Sequence, residues 1–138
     1  MQNEPMIHIW TDGSWHHIDK DMGIGVYAIY NDKAIQHSAY IGKGTNNIAE
    51  LSAIKFALTK LLKYRLTPVK VFTDSKYCIG VLTLKWKVKA NQILIKDIKE
   101  LIYQYDNIEF EWVPGHANSK GNQIADEIAV AARKEGSK

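Results

Sequence analysis

Two runs of alternating side chains, far apart in the chain, end in the same way. IHIWTDGS (residues 7–14) and VKVFTDS (69–75) alternate with the period of two of a strand, then break at Asp12 and Asp74, each preceded by Thr and followed by a small residue. A strand that simply stopped would need no acid there. A turn is the plain explanation, because Asp and Ser side chains bond nearby backbone N–H groups. The repetition constrains more than one turn does. If the two strands are parallel neighbours, as a crossover connection allows, both carboxylates come to lie a few ångströms apart at one edge of a sheet. Like charges that close repel unless a cation sits between them.

The remaining periodicities place these strands in one architecture. Met6 to Asp12, MGIGVYAIYND (22–32) and KAIQHSAYIG (33–42) read as three strands, the last two joined by a short hairpin connection at Asn31-Asp32-Lys33. From Asn46 to about Tyr64 the period becomes helical through Leu51, Ile54, Leu58, Leu61 and Leu62, with Thr45, Asn46 or Asn47 as N-cap and a stop before Pro68. After the 69–74 strand come a helix over Lys76 to about Lys85, a basic connection KWKVKAN, a helix over Gln92 to Tyr105, a strand NIEFEWV and a terminal helix over Lys120 to Lys134. The order β-β-β-α-β-α-α-β-α mixes a meander with crossovers, so an α/β fold with one mixed sheet flanked by helices is expected. Sites in such sheets gather at the carboxyl ends of parallel strands. GIGVYA matches a dinucleotide-binding pattern, but it continues as a strand where that fingerprint requires a helix N-terminus.

A chain of 138 residues supports one domain (1–138, with a core of about 6–132) that buries roughly two thirds of its unfolded surface. MQNEPMIHIW lacks the charged and apolar regions of a secretory leader, and no run approaches the ~18 apolar residues of a membrane span, so a cytoplasmic protein without membrane contact is expected. The single cysteine, Cys78, reads as a small core side chain. Charge is unevenly spread: Lys55 to Lys99 carries eleven Lys or Arg against Asp74 and Asp97, a local +9 in a chain of net +3. Such a segment is the footprint of a polyanion binder or a Lys-rich solubilising surface, and composition alone leaves both open.

A third acid points toward the two strand ends. At about 100° per residue, Glu50 lies within ~40° of Ile54 and ~20° of Leu61, on the core-facing stripe in the first turn of its helix. Glu is seldom found there unpaired. Asn47 with Glu50 three residues later also resembles a capping arrangement, and an acid in a first turn suits the helix dipole.

Five segments together resemble a known family. TDGS (11–14), GTNNIAEL (44–51), FTDSKY (72–77), WVPGHA (112–117) and GNQIADEIA (121–129) are similar to the signature segments of type 1 ribonuclease H, in their usual order. The resemblance implies a ribonuclease H-like five-stranded mixed sheet. It also implies a monomeric endonuclease that hydrolyses the RNA strand of an RNA/DNA hybrid, leaving 5′-phosphate and 3′-hydroxyl ends. Carried over position by position, the family's metal-site acids match Asp12, Glu50, Asp74 and Asp126, and its loop histidine matches His116, a proton shuttle suited to titration near neutrality. Periodicity alone would accept Asp126 as a solvated acid beside the stripe of Ile124, Ala125, Ile128, Ala129 and Ala132.

The implied chemistry uses two Mg²⁺ ions about 4 Å apart, with Mn²⁺ as substitute, to activate water and stabilise the leaving 3′ oxygen. Hard cations take oxygen ligands, which Asp and Glu on rigid ends supply. Thr45, Asn46 and Asn47 match hybrid-contacting positions and could equally cap their helix; Ser14 and Ser75 beside the acids are further candidates.

Two departures from the family pattern stand out. After TDGS many relatives carry a Gly- and Pro-rich turn, whereas here WHHIDKDMG follows, with Trp15 as a stacking replacement. His16 and His17 are expected to point apart on an extended chain, and His8 and His37 read as ordinary strand residues. An extended basic handle is also missing: 42 positions separate Asp74 from His116, and LKWKVKAN leaves Lys85, Trp86, Lys87 and Lys89 as a small cationic and aromatic patch for nucleic acid. Weaker substrate affinity is the expected consequence. An integrase-like DNA nuclease or a catalytically idle hybrid-binding module are the alternatives, opposed by GTNN, WVPGHA and the full set of acids.

Overall fold

The computed structural model describes residues 5–115 and 119–138. Strands β1 (Ile7–Trp15), β2 (Asp21–Tyr30) and β3 (Lys33–Lys43) are followed by helix α1 (Asn46–Lys60), strand β4 (Val69–Thr73), helices α2 (Lys76–Thr83) and α3 (Gln92–Tyr103), strand β5 (Ile108–Trp112) and helix α4 (Lys120–Gly136). They form one sheet of order β3-β2-β1-β4-β5. β1–β2 and β2–β3 are antiparallel, while β1–β4 and β4–β5 are parallel. The hairpin turns on Asn31 and Asp32, both left-handed at φ 50° and 65°, the backbone that matches strand twist in a two-residue loop.

Alternation along the strands sorts the two faces. Ile7, Ile9, Val26, Ala28, Val69 and Val71 join Leu51, Ile54 and Leu58 of α1, Val81 of α2, and Ile95 and Ile98 of α3 in one buried cluster, with Cys78 among them. The opposite face of β1 and β2 carries α4. Gly23 and Gly25 admit it, because a Cβ on either would collide with the α4 backbone at Ala129 and Ala125. The glycines of GIGVYA therefore serve close strand–helix approach within β2. Helices on both faces leave the first eight residues of β2 buried.

Several elements end earlier or later than their local pattern implies. α1 stops at Lys60 and a 3₁₀ turn, Leu62–Tyr64, follows; this lets Leu62 and Tyr64 reach the core from outside the helix. α3 stops at Tyr103 because Tyr105 turns inward, where its hydroxyl donates to Leu58 O at 2.6 Å. α2 ends before Lys85, which adopts a left-handed φ of 60°. β1 runs three residues past Asp12, since pairing with β2 continues to Trp15↔Met22. Beyond Trp15 a turn brings the His16 and His17 rings to 5.3 Å with a 30° tilt, so they lie together instead of pointing apart: the expected extended chain ends one residue too soon.

Candidate active site

Parallel pairing aligns Trp10 with Phe72, so counting two residues on sets Asp12 opposite Asp74 at the carboxyl ends of the central strands. Asp74 is freed from turn duties by its neighbours. In Thr73-Asp74-Ser75, the buried Thr73 Oγ1 accepts from Ser75 N at 3.1 Å and Ser75 Oγ caps α2 by accepting from Cys78 N at 3.1 Å. Asp74 Oδ1 is buried and finds no partner among the described residues. In Thr11-Asp12-Gly13-Ser14, Ser14 Oγ accepts from Arg133 Nε at 2.8 Å. Asp74 is therefore not its turn's own hydrogen-bonding group, and Asp12 stands within β1, two residues past the last parallel pair with β4.

Glu50 completes the set from α1. The cap of that helix is Thr45, whose Oγ1 accepts from Ile48 N at 3.1 Å, so Glu50 is not needed as a cap. Its carboxylate instead accepts from Gly13 N at 2.8 Å, tying helix to strand between the two aspartates. Gly13 is obligatory here: a Cβ would run into the backbone of Ala49 and Glu50. Oxygens of Asp12, Glu50 and Asp74 all lie within 4.8 Å of one another.

Electrostatics follow from this crowding. Burial, then the Glu50 charge, then a hydrogen bond from the Asp126 side and the Asp74 charge push the Asp12 carboxyl far above its ordinary range. Burial and the Asp74 charge raise Glu50 to about 8, against the opposing pull of the Gly13 N–H. Among the described residues, none of these acids forms an ion pair with Lys, Arg or His. An all-oxygen set, one buried oxygen without a partner and two carboxyls that resist ionisation together fit a hard divalent cation, whose charge relieves the repulsion. Asp126, exposed on α4, reaches Asp12 from the other face of the sheet and lies outside the tight group of three. His116 lies outside the described residues.

The candidate nucleic-acid contacts divide by what else they do. Asn46 and Asn47 are exposed at the start of α1, whereas the hydroxyls of Thr45, Ser14 and Ser75 are held by the protein as above. Trp15 Nε1 donates to Gly44 O at 2.9 Å and Lys20 Nζ sits 5.0 Å from its ring centre, so the altered loop is braced against the start of α1. Lys85, Lys87 and Lys89 are exposed. Trp86, half-exposed at 49%, lies over Gly80 where a Cβ would stand, which folds the patch back against the middle of α2.

Sequence reading missed the braces around the acids. Asn122, 1% exposed, donates from Nδ2 to Gly115 O at 3.2 Å, and Trp112 Nε1 donates to Asp74 O at 3.1 Å. The only signal for either was a polar or aromatic residue inside a signature segment.

Two carboxylates ending a central parallel pair, with a third on the crossing helix, define a ribonuclease H-like nuclease frame. The chain belongs to the RNase H family, whose family model matches residues 4–134. It is 31% identical over 148 positions to the ribonuclease H of Orientia tsutsugamushi, covering 99% of this chain and 87% of that one. With the ribonuclease H of Ruthia magnifica it shares 33% identity over 138 positions, covering 91% and 94%. Among solved structures, the compost-derived LC11-RNase H1 in complex with RNA/DNA hybrid superposes with a TM-score of 0.81 at 28% identity, covering 96% of this chain and 99% of that one.

Proposed function

We propose that this chain hydrolyses the RNA strand of RNA/DNA hybrids with divalent metal held by Asp12, Glu50 and Asp74, and that Asp126 contributes from the rim. The observation that carries the reading is the meeting of three carboxylates within 4.8 Å on a chain of the RNase H family. Bound Mg²⁺, as two ions and with Mn²⁺ as substitute, supplies activation of water and stabilisation of the leaving 3′ oxygen. The chain's own part is positioning. Gly13 N–H fixes the Glu50 carboxylate, Thr73 and Ser75 hold the Asp74 corner, and Asn122 ties Gly115, the residue before His116 in the sequence, beside Asp74. His116 is assigned proton transfer near neutral pH, and the products are 5′-phosphate and 3′-hydroxyl ends.

Substrate is bound along the same edge. Asn46 and Asn47 at the start of α1 meet a minor groove, where 2′-hydroxyls are displayed, and the Lys85–Lys89 patch meets phosphates. Comparison of RNA/DNA hybrid, duplex RNA and duplex DNA of one sequence tests the reading. Only the hybrid should be cut, and only in its RNA strand; cleavage of duplex DNA at a similar rate would replace it with the integrase-like alternative.

A further inference from the structure

Trp112 ends β5, in register with Thr73 of β4, yet it is 39% exposed and contributes little to the core. Its polar edge is used instead: Nε1 donates to the main-chain oxygen of Asp74 at 3.1 Å. The ring face carries Lys76 Nζ at 4.7 Å from its centre, and the next residue, Val113, donates from its backbone N to Thr73 O at 2.9 Å. The end of β5 thus grips the corner on which Asp74 stands. That grip matters because Asp74 Oδ1 has no hydrogen-bond partner among the described residues, so on that oxygen's side only the backbone fixes the direction of the carboxylate.

We propose that Trp112 is a positioning residue for metal binding: its indole N–H holds the Asp74 carbonyl and thereby aims the Asp74 carboxylate at the site shared with Asp12 and Glu50. The proposal rests on the reading of Asp74 as a metal ligand. Groups that hydrogen-bond to a ligand residue orient it, and their loss typically lowers metal affinity by about 10- to 100-fold. A bond to the backbone of the ligand belongs at the lower end. The ring has a separate use, since it holds the Lys76 ammonium on its face.

Trp112→Phe separates the two, because it keeps an aromatic face for Lys76 and removes the N–H. Mn²⁺ alone is titrated, without nucleic acid, by electron paramagnetic resonance on wild type, Trp112→Phe and Asp74→Asn, alongside the metal-free thermal midpoint of each. The expected result is a Mn²⁺ dissociation constant about tenfold higher in Trp112→Phe, with the metal-free midpoint unchanged. An unchanged dissociation constant overturns the proposal, and so does a weakening that merely tracks lost metal-free stability. If Asp74→Asn binds Mn²⁺ as wild type does, the metal-site reading itself fails, and with it the role of Trp112. Should Trp112→Phe not fold, Trp112→Tyr, which also lacks the indole donor, carries the same expectation and the same refutation.

Discussion

Glu50 accepts a 2.8 Å hydrogen bond from the backbone N–H of Gly13, one residue past Asp12, so a helix and a strand share responsibility for one carboxylate. Glu50→Gln keeps an oxygen for that N–H and removes the charge. Loss of one metal-holding charge should lower hybrid hydrolysis at least ~10²-fold, while the metal-free thermal midpoint rises because the cost of burying an ionisable carboxyl, and then its repulsion with Asp74, has gone. Melting and single-turnover assays on the same sample check both halves; a fall in both would make Glu50 structural.

The raised carboxyls give the metal-free protein an inverse pH dependence. In the unfolded chain these groups titrate near their ordinary values of 3.8 and 4.5, whereas burial and mutual repulsion raise both in the fold, Glu50 to about 8. Between those ranges the folded state holds more protons than the unfolded state, so stability falls as pH rises and is fully regained only below the ordinary values. Melting in chelator from about pH 5 to about 8 should show a declining midpoint. Mg²⁺ should flatten the decline, and Glu50→Gln should reduce it.

Gly13→Ala tests the close approach of β1 and α1. The added Cβ meets backbone, which cannot rotate away, so overpacking should cost about 1–3 kcal/mol. Activity should fall as well, because the Gly13–Glu50 bond is displaced. A midpoint within error of wild type would show that the two elements can separate freely.

Local signals carried the elements and the acids far. Asp12 and Asp74 stand out because strand period and turn chemistry are both short-range, and Glu50 because helical period places it inward. What the sequence could not show depends on partners distant in the chain. Ser14 meets Arg133 across 119 positions, and Trp112 meets Asp74 across 38. β1 passes Asp12 because β2 continues to pair with it, and α3 ends early because Tyr105 finds Leu58. Asp126 shows the limit from the other side: exposed on its helix, it has no local pattern, and only the approach of α4 over Gly25, the pairing partner of Asp12, brings it to the site.

The basic patch should act on affinity. Changing Lys85, Lys87 and Lys89 together to Ala should raise the Michaelis constant and leave the chemical step nearly intact. The log–log salt dependence of binding should flatten by roughly 0.9 for each phosphate that the protein no longer neutralises. Hybrid titration at several salt concentrations reads the slope. An unchanged slope would leave these lysines as a solubilising surface.

In the function proposed above, metal held by the three clustered carboxylates cuts the RNA of a hybrid. Its most direct test is an end-labelled RNA/DNA hybrid incubated with wild type and with Asp74→Asn, with and without Mg²⁺, while binding is followed in parallel. Wild type should cut the RNA strand only when Mg²⁺ is present, and Asp74→Asn should bind the hybrid yet leave it nearly intact. Cleavage by wild type in chelator, or undiminished cleavage by Asp74→Asn, would rule out a metal held by these carboxylates as the agent of cleavage.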